Sequence, residues 1–127
     1  MSVATNVIQN MIDNALMRTH TAFCAKVLSV SGDMAKIQPL NMVKVAGGNA
    51  QKQAVITDVP ILKPSYKNKV TYNNSVCQVS TECDIKVGDT VFCLCAERDI
   101  TETRKGNFSV PAKGKHMIND AVIIGKF

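Results

Sequence analysis

A chain of 127 residues with 46% hydrophobic and 20% charged side chains is long enough for one domain with its own core, and too apolar to be a disordered segment. No apolar run approaches the roughly 20 residues that cross a bilayer. Asn6, Gln9, Asn10, Asp13 and Asn14 interrupt any basic-then-apolar leader pattern, so synthesis and folding in the cytoplasm are expected.

Residues 3–18 have helical periodicity. Val3, Val7, Ile8, Met11, Ile12, Ala15 and Leu16 recur at spacings of three and four, with the Asn, Gln and Asp side chains opposite. A helix of this length is marginal in water, so its apolar stripe must pack on something, either its own domain or another copy or partner. Val7, Ile8, Met11, Ile12 and Ala15 are the candidate oligomer-interface residues.

After Thr19-His20-Thr21 the pattern becomes that of strands. Ala22 to Val30 alternates and ends at Ser31-Gly32-Asp33, which suits a hairpin turn. Met34 to Val45 reads as a long strand broken at Pro39, where the missing N–H requires an edge, bulge or interruption. Ala46-Gly47-Gly48-Asn49 is a loop, and Ala54 to Leu62 is a third strand with Pro60 near its end. Residues 63–69 read as a polar loop, and Val70 to Val79 as a hairpin turning at Asn73-Asn74.

Val87-Gly88-Asp89 then makes a tight turn, since Gly accepts positive φ and Asp bonds nearby backbone. Val91 to Ala96 is apolar at every position, which predicts a strand covered on both faces. It stops at Glu97-Arg98-Asp99, a charged structural corner, and Ile100 to Thr103 could start a short helix or turn. A polar stretch over 101–117 precedes a last apolar run, Ala121 to Gly125.

The charge of +5 raises nucleic acid as a partner, because clustered Lys and Arg displace phosphate counterions. The lysines are scattered, however, and a solvated loop surface explains Lys63, Lys67, Lys69, Lys105, Lys113 and Lys115 equally well. The aromatics Phe23, Tyr66, Tyr72, Phe92, Phe108 and Phe127 make a poor base-stacking platform, with no Trp among them. The five cysteines, at 24, 77, 83, 93 and 95, show no C-x-x-C spacing and read as small hydrophobes in a reducing compartment, with neither disulfide nor metal expected. G-x-S-x-G, Walker and H-E-x-x-H motifs are missing, so no enzyme, catalytic residue or cofactor is expected.

The strand pattern fits a mainly β domain: a five-stranded Greek-key OB-fold barrel over residues 21–127 behind an N-terminal amphipathic α-helix over 1–20, with a small sandwich as the alternative. Several motifs then fall in a familiar order. The N-terminal helix runs into Thr19-His20-Thr21, followed by Lys26-Val27, Ile37-Gln38-Pro39-Leu40, Asp58-Val59-Pro60-Ile61, Val87-Gly88-Asp89, Ala96-Glu97-Arg98-Asp99-Ile100 and Lys115-His116-Met117 before Asp120-Ala121. In this order the chain resembles the N-terminal OB-fold domain of membrane-puncturing tail spike proteins of contractile-tailed bacteriophages, in the short-spike type.

The resemblance implies a viral tail or baseplate structural protein, a homotrimer at the distal end of the tail tube. Its implied partners are itself, tube and baseplate hub proteins, a separate tip protein or a C-terminal shaft, and indirectly the host envelope. It supplies no active-site residue. Two departures weaken the piercing role relative to the assembly role: no His-x-His tip motif is present, and Phe127 falls where a shaft would begin. Glu97-Arg98-Asp99 would be an ion-pairing corner at the barrel end, within reach of His116 and Asp120. A single-stranded nucleic-acid-binding module is the alternative function.

Overall fold

The computed structural model describes residues 2–44, 46–64, 69–78, 84–111 and 116–127. Its first element is α1 (Val3–Arg18), which Ser2 caps by accepting the Thr5 N–H at 3.2 Å. The other end closes when Thr19 donates its N–H to Leu16 and its hydroxyl to the Ala15 carbonyl. Helix and caps are thus locally complete, yet no residue of α1 is buried. Among the described residues, no element of its own domain packs along it. No described helix is long and apolar enough to cross a membrane.

Five strands form one curled antiparallel half-barrel. These are β1 (Ala22–Ser31), β2 (Met34–Pro39), β5 (Ile56–Pro60), β8 (Thr90–Cys95) and β9 (Ala121–Lys126), in the order β5-β2-β1-β8-β9. The sheet curls until its two edges meet. Ile61 bridges Ile123 in parallel, and the Leu62 N–H donates to the Ile123 carbonyl at 2.9 Å. Bulges between Val27 and Ser29, between Ala35 and Ile37 on the β5 side, and between Phe92 and Cys93 supply local bending. Asp58, at φ +55°, lies in the β5 bend.

The core follows from alternation. Val27, Ile37, Val59, Val91, Cys93 and Ile123 point inward and are nearly inaccessible, each from a strand whose next residue points out. Pro39 is buried at the end of β2 and ends that strand as expected. The predicted long strand from Met34 divides here. Leu40 and Asn41 turn the chain into a separate ribbon, β3 (Met42–Lys44) paired with β4 (Ala50–Lys52). Gln38 and Gln53 staple its base, donating to the Gln53 and Asn41 carbonyls at 2.7 and 2.8 Å. Strand β4, Ala-Gln-Lys, has no apolar alternation that would announce it.

A second ribbon joins β6 (Lys69–Tyr72) to β7 (Ser75–Gln78). Asn73 and Asn74 both take positive φ, 49° and 63°, the conformation a two-residue hairpin loop needs and Asn tolerates. The predicted loop at 63–69 and the hairpin end at Val79 fall partly outside the described residues.

Strand β8 departs from expectation. Val91, Cys93 and Cys95 are buried, but Leu94 is 44% exposed and Phe92 only half-buried. The strand is covered on one face, and its apolar second face looks outward. Before it, the Val87-Gly88-Asp89 turn clamps onto β1, with Gly88 N–H to the Val27 carbonyl and Val27 N–H to the Asp89 carbonyl, both 2.9 Å. After it, Thr103–Lys105 and Ile118–Asp120 form single 3-10 turns, the first ended by Gly106 at φ +88°.

Candidate functional site

Two groups of residues carry the functional expectations, and they lie on different parts of the molecule. On α1, Val7, Ile8, Met11 and Ile12 are 52%, 59%, 66% and 49% exposed, and Ala15 is exposed beside them. Gln9 donates to Asp13 at 3.0 Å on the polar side, so the helix presents one satisfied polar face and one bare apolar face.

Among the described residues, turn and backbone hydrogen bonds hold the corner. Asp99 accepts the Thr101 N–H at 2.9 Å and its hydroxyl at 2.6 Å, closing a tight turn through one carboxylate oxygen. Glu97 and Arg98 are exposed, and among the described residues neither forms an ion pair. Glu97 contributes its carbonyl instead, accepting the His116 N–H at 3.0 Å, while the His116 carbonyl accepts the His20 N–H at the same distance. His116 therefore joins the corner to the root of α1 through its backbone, at φ +51°. Its Nδ1 is buried without a hydrogen-bond partner among the described residues.

Burial pushes the Asp120 carboxyl above its usual range, and the neighbouring Asp99 charge adds to the rise. Asp120 holds the corner by accepting the Ala96 N–H on its carbonyl at 2.9 Å. This is a backbone-locked end of the half-barrel, with the Asp120 carboxyl raised by burial and by the Asp99 charge.

A true ion cluster sits at the opposite end of β8. Asp89 accepts the Lys86 N–H at 2.9 Å and lies 3.4 Å from Lys126 Nζ, which also reaches Asp84 at 3.7 Å. The Lys86 backbone N–H, with Lys126 assisting, holds Asp89 below its ordinary value. This clasp ties the turn before β8 to the end of β9.

The cysteines divide by exposure. Cys93 and Cys95 are buried, and burial raises their thiols to about 12 and about 11, so both are inert as thiolates at neutral pH. Cys24 is half-buried, while Cys77 is exposed on its ribbon and is not core filler. Cys83 lies outside the described residues. Among the described residues no group of three or more His, Cys, Asp or Glu side chains converges as a metal site would require.

Sequence reasoning missed one surface, the outer face of β8 and β9. Phe92 and Leu94 project from β8. Phe127 meets Phe92 edge-to-face, with ring centroids 6.3 Å apart. The two rings line an open notch of about 400 Å³ at Gly125, completed by Ile124 and Lys126. The signal was present in the unbroken apolar run from Val91, which predicts cover on both faces. A second groove of about 500 Å³ lies over the β5–β9 seam, with Ile61, Leu62, Ile100 and Val122 in its walls and Arg104 and Lys105 at its rim. No protein-family model matches the chain, and no curated protein is significantly similar to it.

Proposed function

We propose that the chain is a structural component of a bacteriophage tail or related contractile injection machine. In this reading it is a homotrimeric spike or hub protein at the distal end of the tail tube, assembled in the bacterial cytoplasm and carried in the virion. It attaches to tube and baseplate hub proteins, holds a tip protein or shaft, and helps it penetrate the host envelope. Its chemistry is mechanical, not catalytic.

The barrel is then a five-stranded Greek-key barrel of the OB type. Supporting this are a meander of β1, β2 and β5, two later strands placed on the other side of β1, and parallel contact where β5 and β9 meet. The order of motifs from Thr19 to Ala121 supports the tail setting.

The observation that carries the assembly reading is α1. A 16-residue amphipathic helix with no buried residue has nothing among the described residues to hold it, and helices of that length are marginal alone. Identical copies around a closed axis supply the missing cover. Light scattering on the purified chain tests this directly. A trimer mass at micromolar concentration is expected, and a clean monomer there overturns the reading.

A further inference from the structure

We infer that the outer face of β8 and β9, at the notch over Gly125, seats α1 of a second copy of this chain, so that copies join helix to sheet and not helix to helix. The inference rests on the self-assembly in the proposed function and names the surface that performs it.

Of the apolar faces left open among the described residues, α1 and the outer face of β8 and β9 match in size. Sixteen residues of helix are about 24 Å long, and six-residue strands such as β8 and β9 are about 20 Å. Aromatic and aliphatic side chains dominate the receiving face: Phe92, Leu94, Ile124 and Phe127. Its concavity lies at Gly125, which pairs with Phe92 and where an added Cβ would meet nothing within 4 Å.

The pattern of α1 selects a sheet over another helix. Apart from Met17, its apolar residues come as adjacent pairs, Val3-Ala4, Val7-Ile8, Met11-Ile12 and Ala15-Leu16, repeating every four residues. At 100° per residue these pairs cover roughly 200° of the helix surface, about twice a minimal core-facing stripe. A coiled-coil seam needs a narrow stripe repeating every 3.5 residues, and a four-residue repeat drifts away from any such seam within two turns. A broad face fits a flat, broad receiver, with Ile8, Met11 or Ile12 as the side chain that enters the notch.

Among the described residues the chain does not cover the receiving face itself, since no residue of its own α1 is buried. Only Thr19, His20 and Thr21 separate α1 from β1, a reach of about 10 Å. That link is pinned by His20 N–H to the His116 carbonyl and by Cys95 N–H to the Thr21 carbonyl. Ala22 then pairs with Leu94, whereas Gly125 pairs with Phe92, farther from the helix root. Each copy thus offers one helix and one notch, and a closed ring of such head-to-tail contacts leaves neither unmatched.

Gly125 provides a test that spares the fold. A Cβ there meets nothing within 4 Å, and its φ is not in the left-handed region. Gly125→Leu should fill the notch, leave the thermal midpoint of the dissociated chain unchanged, and weaken assembly at least tenfold in sedimentation equilibrium. In parallel, a benzophenone amino acid replacing Ile12 in the full chain is irradiated and the adducts mapped by mass spectrometry. Dimer-mass adducts on residues 90–95 or 121–127 are expected. Adducts between two α1 segments, or at monomer mass on the chain's own sheet, overturn the inference while the assembly stands, as does a Gly125→Leu chain that assembles at full strength. A wild-type chain that stays monomeric overturns the proposed function with it. Should Gly125→Leu fail to fold, Ile124→Lys replaces it on the same exposed face, with the same expected loss and the same overturning result.

Discussion

In the barrel, apolar side chains at alternate positions face inward and are sealed by four neighbouring strands; in α1, the same residue types at helical spacing stay in water. Ile37 and Ile12 show the contrast. The first is inaccessible between β1 and β5, while the second is half-exposed on a helix that no strand packs along. The two ribbons side with α1, for every residue of β3, β4 and β6 is exposed and isolated two-stranded hairpins are barely stable. Periodicity therefore reports that a face must be covered, and is silent on whether the cover belongs to the same molecule.

The largest expected effect tests the barrel side of this contrast. Ile37→Ala should lower unfolding stability by about 2–5 kcal/mol, since a fully enclosed side chain leaves a cavity. Ile12→Asp, by contrast, should change the unfolding free energy of the dissociated chain, measured by urea titration, by no more than about 0.5 kcal/mol, as exposed substitutions do. An Ile12→Asp loss as large as that of Ile37→Ala would abolish the distinction between the two regions.

A smaller effect separates the two ends of the barrel by pH. Asp89 has a lowered native pKa, so its contribution is present above the unfolded value of 3.8 and is lost as pH falls through the native value. Asp120 has a raised native pKa, so its protonated form favours the fold and stability declines as pH rises through that range. Urea midpoints measured from neutral to acid pH should show Asp89→Asn flattening the acid loss. Asp120→Asn should instead raise stability at neutral pH relative to acid. Equal slopes for both variants would mean that the clasp and the corner are electrostatically alike.

The smallest effect concerns the helix alone. Ser2→Ala removes the N-cap and should cost about 1 kcal/mol of helix stability. It should reduce the helical circular-dichroism signal of the dissociated chain and leave the barrel's urea midpoint in place. A matching loss in the barrel would show that helix and barrel unfold as one unit.

Much of this was legible in the residues themselves. Helix 3–18 has both period and cap; Ser31-Gly32-Asp33, Asn73-Asn74 and Val87-Gly88-Asp89 are turns written in residues that accept positive φ or bond their own backbone. The ribbon strand at Ala50–Lys52 was not legible, because a polar solvent-exposed strand has no alternation to display. Nor was the corner: Glu97 and Arg98 look like ion partners in sequence, but the lock is made of the His116, Glu97 and Ala96 backbones, which carry no side-chain signature. Of the candidate interface, Val7, Ile8, Met11, Ile12 and Ala15 could be named from spacing. Gly125 could not, since a glycine near a chain end gains meaning only from the rings beside it.

Alone, the sequence determined most of the helix, strand and turn segments, the exposed ribbon strand at Ala50–Lys52 excepted, because period, caps and backbone preferences act over a few residues. Only the tertiary structure decided which apolar faces are covered. It did so through the strand order that curls β5 around to β9, encloses one side of β8 and leaves Phe92 and Leu94 facing out. Burial depends on contacts between residues far apart in the chain, and no local pattern records whether the second face of a strand, or the apolar side of a helix, finds its cover within the same molecule.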